Sequence, residues 1–184
     1  MPLITPSIVR PAIPVDMPEI WRLFMMGWKE NGIFSLDPQK VEYFLSRALH
    51  PERIDKNDTG PRGQIGVIGA PGNLQAIVFV ILGSFWYSSD VHIEELLVYV
   101  DPECRASKHA HSCINWMKKR ADDLGVKLLT GIISKERTQS KIKLYDRFLP
   151  RIGAFYLYPM DEESDVKKLN HNIEKEAWLA AKRA

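Results

Sequence analysis

The stretch Glu94-Glu95-Leu96-Leu97-Val98-Tyr99-Val100-Asp101-Pro102-Glu103-Cys104-Arg105-Ala106-Ser107-Lys108-His109-Ala110 decides how this chain folds. Apolar and β-branched residues predict a buried strand over Val91 to Val100. After Pro102 the spacing turns helical as far as about Leu124. Ala110, Cys113, Ile114, Met117, Ala121 and Leu124 share one face, and Lys118, Lys119, Arg120, Asp122 and Asp123 lie elsewhere. Gly125 is placed to stop that helix. A strand that runs through a tight loop into a long helix leaves the first helical N–H groups without internal partners, at the positive end of the dipole. Such a junction holds a pyrophosphate when its side chains are small. Ala106, Ser107 and Ala110 permit close approach, while Arg105 and Lys108 add charge. Alone the signal is weak, since most helix N-termini bind only water or a capping side chain.

Upstream, Gln64 to Ala70 and Leu74 to Gly83 are apolar runs joined by Pro71-Gly72-Asn73, the layout of an antiparallel hairpin. The loop Phe85-Trp86-Tyr87 follows and either lines an acceptor pocket or roofs the core. Two helices precede the hairpin. One starts at Asp16 with Glu19 as capping-box partner, runs to about Lys29 and carries Ile20, Leu23, Phe24 and Gly27 at helical spacing. The other starts at Asp37-Pro38 and buries Val41, Phe44, Leu45 and Ala48. Ser7 to Ile13 reads as a short extended segment. Downstream, the pattern predicts a strand over Val126 to Ile133, a helix over Glu136 to Phe148 and a strand over Gly153 to Tyr158. The tail from Asp161 to Ala184 reads as an amphipathic helix that either covers the domain or binds a second subunit as a homodimer.

A length of 184 residues suits one domain over 1–184, and 45% hydrophobic with 26% charged residues is ordinary globular usage. The net charge of +2 is too small to imply a polyanionic partner. Two cysteines, Cys104 and Cys113, are too few for a secreted disulfide scaffold and suit a reducing, cytoplasmic location. Met1 to Pro14 lacks the layout of a secretory signal, and the longest apolar run, Ala76 to Leu82, falls far short of the ~20 residues of a membrane span. Cys104, His109, His111 and Cys113 invite a zinc reading. On a helix, however, His109 and Cys113 share a face that His111 points away from, so no metal is expected.

Val100, Pro102, Arg105 and Ala110 fit a signature of the form Val-x-Pro-x-x-Arg followed by a Gly-rich loop. In this the chain resembles the GNAT superfamily of acetyl-CoA-dependent N-acetyltransferases. Val9-Arg10-Pro11-Ala12 with Asp16 looks like that family's first strand and helix start, and Lys143-Leu144-Tyr145-Asp146-Arg147-Phe148 like its last helix, so the likeness covers about Ser7 to Tyr158. The chain departs from the pattern at Lys108, where the loop usually has glycine, at Thr138, where asparagine is common, and at Leu149-Pro150, where a Gly-Phe turn is common. The resemblance implies an α/β (α+β) fold with a mixed, mainly antiparallel central sheet and helices on both faces. It implies acetyl-CoA as cosubstrate, lying in a V-shaped gap between Val91–Val100 and Val126–Ile133, and an amine acceptor that attacks directly in a ternary complex. The implied cofactor contacts are Val98, Tyr99, Val100, Arg105, Ala106, Ser107, Lys108, His109, Ala110 and Thr138.

An amine must be neutral to attack a thioester, so the chemistry wants a carboxylate base, acting directly or through water, and an acid for the thiolate. Glu94 is the candidate base. Strand alternation turns only one of Glu94 and Glu95 toward the substrate, and a bulge would reverse the choice. The plainer reading is a pair of solvated or Lys-paired carboxylates at a sheet edge. Tyr145 matches the family's leaving-group acid, whereas its periodicity with Ile142 and Phe148 fits a core aromatic. Two rival functions stay open. One is a catalytically silent acyl-CoA-binding or regulatory module. The other is a nucleic-acid-modifying acyltransferase using the basic residues from Lys135 to Arg151, against which the near-neutral charge argues.

Overall fold

The computed structural model describes residues 7–54, 57–58 and 60–157. Its five-stranded sheet keeps chain order: β1 (Arg10–Pro11), β2 (Gly63–Ala70), β3 (Asn73–Ser84), β4 (Val91–Val100) and β5 (Lys127–Leu129). The first three pairings are antiparallel, and β4 pairs with β5 in parallel. The sheet is thus the mixed, mainly antiparallel one expected. The β2–β3 hairpin closes through Gly72, whose φ of 79° suits a residue without Cβ.

Helices α1 (Met17–Asn31) and α2 (Pro38–Leu49) come from the first part of the chain, α3 (His109–Leu124) and α4 (Thr138–Tyr145) from the second. Asp37 caps α2 by accepting from Lys40 N at 3.0 Å, and Pro38 fills the first turn. Ile20, Leu23, Leu45 and Leu49 pack with Ile65, Val67, Ile77, Phe79 and Tyr99 in one core. Alternation along the strands sends the buried Ile68, Val78, Val80 and Ile93 to the opposite face, where α3 buries Cys113, Ile114, Met117 and Ala121. Gly125 ends α3 at a φ of 65°, as its position in the sequence predicts. Burial, with the charge of Glu95 adding to it, pushes the Cys113 thiol up to about 12, so this cysteine packs as a hydrophobe.

Several elements differ from the sequence pattern. The first strand is two residues long instead of Ser7 to Ile13. Asp16 does not cap α1 with Glu19. Its carboxylate turns back to accept from Ile13 N at 2.9 Å and from both Arg10 terminal nitrogens, at 2.7 and 2.8 Å. Glu19 instead holds Arg22 and accepts from Leu74 N. The predicted helix after Pro102 begins only at His109, because Asp101 accepts from Glu103 N and folds Pro102–Cys104 into a separate 3-10 turn. The strand over Val126 to Ile133 shrinks to Lys127–Leu129. Residues 151–157 form no strand. They are exposed throughout and pair with no strand among the described residues, and Tyr158 and the tail from Asp161 lie outside those residues.

The described residues group into two compact units. One runs to Gly27 and resumes from Leu36 to Thr130, and the other joins Trp28–Ser35 to the residues after Thr130. The first holds the sheet, α2 and α3, and the second holds α4. No helix among the described residues is long and apolar enough to cross a membrane.

Candidate active site

Strand β4 has two different halves. Toward its start it pairs with β5 at His92↔Lys127, Ile93↔Leu128 and Glu94↔Leu129, and there the ladder ends. From Glu95 to Val100 no strand lies on that side among the described residues. On its other side, β3 pairs Phe79 with Leu97 but Val80 with Glu95, so Leu96 is an extra residue in a β-bulge. The bulge follows both glutamates and leaves them on opposite faces. Glu94 pairs with Ile81, on the face packed against α1 and α2. Glu95 pairs with Val80, on the α3 face, where its charge reaches Cys113.

The exit from β4 is held by a clamp. Asp101 N donates to Gln75 O at 2.9 Å, and Arg22 of α1 donates to Asp101 Oδ2 at 2.8 Å and to Leu74 O at 2.9 Å while gripping Glu19 at 3.0 and 2.9 Å. The loop then tightens: Ser107 N donates to Cys104 O at 3.0 Å, and Ser107 Oγ accepts from His109 N at 3.1 Å. Ser107 thereby satisfies one of the orphan donors of α3. Arg105 folds back on β4, donating to Val100 O at 3.3 Å and to Tyr99 Oη at 3.2 Å with its guanidinium 5.4 Å from the Tyr99 ring. A Cβ at Gly27 would come within 3.1 Å of that same ring, so the glycine allows α1 to approach β4 closely.

The proposed contacts Val98, Tyr99, Val100, Arg105, Ala106, Ser107, Lys108, His109 and Ala110 therefore form one continuous rim from the free half of β4 to the start of α3. Thr138 and Tyr145 begin and end α4 in the other unit. Thr138 Oγ1 donates to Ser134 O at 3.0 Å, and Lys141 Nζ donates to Asn31 Oδ1 at 2.6 Å and to Ser134 Oγ at 2.7 Å. Tyr145 O receives the N–H groups of Phe148 and Leu149, both at 2.9 Å, which closes the helix.

Sequence reasoning passed over His92. It is nearly buried on β4, its ring stacks on Phe85 with centroids 5.0 Å apart, and Phe85 stacks on Tyr87 at 5.4 Å. The available signal was Gly83, a glycine inside a strand opposite a histidine.

The sequence matches no protein-family model, and no curated protein matches it. Solved structures do. A ribosomal-protein-alanine N-acetyltransferase from Brucella melitensis biovar Abortus 2308 superposes with a TM-score of 0.59 at 15% identity, over 83% of this chain and 97% of that one. AAC(6')-Iy, in complex with the bisubstrate analogue CoA-S-monomethyl-acetylneamine, gives 0.61 at 13% identity, over 84% and 97%. The fold is that of the GNAT acetyltransferases. A transcriptional regulator from Bacillus halodurans C-125 gives 0.57 at 16% identity, over 86% and 99%, so likeness at this level identifies architecture.

Within this GNAT fold His109 is a core residue. Its side chain is fully buried, with Nδ1 2.9 Å from Ser7 Oγ and Nε2 2.9 Å from Gln75 Oε1. An amide oxygen only accepts, so Nε2 carries the proton and the serine hydroxyl donates to Nδ1. Desolvation holds the imidazole below its usual value. The unfolded chain therefore takes up a proton first as pH falls. Unfolding free energy is expected to decrease from about pH 6.5 downward until the folded ring itself titrates. In His109→Gln that limb should be absent from chemical-denaturation midpoints measured against pH.

Proposed function

We propose that this chain transfers an acetyl group from acetyl-CoA to an amine. The observation that carries the reading is β4, which loses its β5 partner after Glu94, bulges at Leu96 and runs through a braced turn into α3. Main-chain groups left without a strand neighbour suit a ligand rich in amides, and the start of α3 suits phosphates. Acetyl-CoA supplies the activated thioester. In our reading the backbone near Val98, Tyr99 and Val100 binds the pantetheine amides, and Arg105, Ala106, Ser107, Lys108, His109 and Ala110 surround the pyrophosphate. Thr138 contacts the pantetheine arm from α4. Glu94 draws the proton from the acceptor ammonium, directly or through water, and the Tyr145 hydroxyl protonates the departing sulfur. The acceptor is an amine, and buried Cys104 and Cys113, both free thiols, suit the cytoplasm.

Calorimetric titration with acetyl-CoA, and with CoA for comparison, tests the reading. Saturable binding is expected, weakened about tenfold or more in Ser107→Asp by the carboxylate introduced at the helix start. No binding at millimolar ligand would overturn it. The rival acyl-CoA-binding module without turnover draws its support from Lys108 in place of the loop glycine and Thr138 in place of asparagine. Full CoA affinity without transfer to any amine would establish that rival.

A further inference from the structure

We propose that the acceptor amine seats in a notch over Gly83, held between Glu94 Oε2 and His92 Nε2, and that His92 receives the proton the amine gives up. The proposal rests on the acetyl-transfer reading and puts an imidazole where that reading has direct or water-borne transfer to Glu94. His92 and Gly83 are cross-strand partners, and Glu94 lies two residues further along the same face of β4. A side chain at Gly83 would begin 3.5 Å from Glu94 Oε2 and 3.6 Å from His92 Nε2. The missing Cβ thus marks a space flanked by a carboxylate oxygen and an imidazole nitrogen. An amine packed over the glycine, a van der Waals distance beyond that point, is bordered by both groups.

Neither the His92 nor the Glu94 side chain has a hydrogen-bond or ion-pair partner among the described residues, and His92 is 7% exposed. Its ring nitrogens still reach the surface, so a ligand can bond them without displacing a protein partner. The ring is held by packing, since Phe85 stacks on it at an interplanar angle of 28° and Tyr87 stacks on Phe85 at 11°. These faces also give the acceptor an apolar wall, so the chemistry recognised is a primary ammonium borne next to an aromatic or apolar group. The titratable groups around His92 are Glu94 on its own strand, Tyr87 and Asp90 in the β3–β4 loop, and Lys127, its register partner in β5. Facing it, β3 offers only Gly83 and Ser84.

In the step itself, the ammonium passes one proton to His92 Nε2. The freed nitrogen pair forms the C–N bond to the acetyl carbon, the C–S bond breaks with its electrons going to sulfur, and CoA leaves as the thiol with the Tyr145 hydroxyl proton, which the second nitrogen proton replaces. Glu94 supplies the charge that draws the ammonium in, and the imidazole nitrogen supplies the lone pair that takes its proton.

The test is titration of the full chain with benzylamine, followed by the nitrogen NMR signals of histidine. The His92 Nε2 signal is expected to shift saturably in the wild type. Gly83→Ala should weaken that response by about tenfold or more. Its unfolding midpoint should stay put, because contacts of 3.5 and 3.6 Å are ordinary packing distances for the added methyl. In His92→Gln benzylamine affinity should fall by about tenfold or more as well. An unmoved His92 signal at millimolar amine, or an equal response in Gly83→Ala, overturns the proposal. Because no acyl donor is present, these results stand apart from the acetyl-CoA calorimetry, whose failure would instead remove the acetyl-transfer reading.

Discussion

Asp16→Ala is expected to lower the free energy of unfolding by about 3–5 kcal/mol, the usual cost of breaking a buried ion pair from one side. The Asp16 side chain is fully buried and that of Arg10 is 30% exposed. Water relieves part of the orphaned cation, which favours the lower end of the range. The carboxylate also anchors the chain, since it receives Ile13 N while Arg10 Nε donates to Gly69 O at 3.1 Å, tying β1 and the entry to α1 to the β2–β3 hairpin. Burial alone would raise the Asp16 carboxyl, but the Arg10 guanidinium and the Ile13 N–H outweigh it and hold it below its ordinary value. A lowered carboxyl contributes stability that is present above the unfolded value of about 3.9 and lost as pH falls through the folded one. The mutant should therefore lose most relative to wild type near neutral pH and converge with it in acid. Urea midpoints at neutral and acidic pH check this, and a neutral-pH loss under about 1 kcal/mol would place the pair among surface bridges.

Glu94→Gln is expected to reduce turnover by about 10² to 10⁴, the range over which a positioned acid or base contributes. Acetyl-CoA affinity should hold, because the proposed cofactor rim starts beyond the bulge. The contrast with Glu95→Gln makes the experiment decisive. Glu95 points to the α3 side beside Cys113, so its replacement should register in stability before it registers in rate. Steady-state kinetics and thermal unfolding of both variants read the two effects. Loss of turnover in Glu95→Gln alone would exchange the roles of the two glutamates.

The sequence was most legible where one local rule acts without competition. Asp37-Pro38, Pro71-Gly72-Asn73 and Gly125 each impose a single backbone choice, and α2, the β2–β3 hairpin and the end of α3 follow from them. It was least legible where long-range partners compete with a local signal. The spacing of Asp16 and Glu19 reads as a capping box, but Arg10 and Arg22 claim the two carboxylates first. Gly153 to Leu157 has the composition of a strand, yet pairing belongs to two segments at once and cannot be read from one. The order of strand, loop and helix from Glu94 to Ala110 carried the fold. His92 was invisible for the opposite reason: a lone histidine in an apolar run looks like filling until the glycine opposite it is known to share its face.

The last rung between β4 and β5, at Glu94 and Leu129, is also a boundary in stiffness. Before it, β4 is fastened on both sides, and beyond it, among the described residues, on one side only. A carboxylate at such a boundary is tethered to the rigid part of the sheet while the strand ahead of it keeps some freedom to breathe. The proposed reacting group would then stay still while the cofactor seat adjusts, so that a guest settling along β4 would quiet the strand beyond Glu94 more than Glu94 itself.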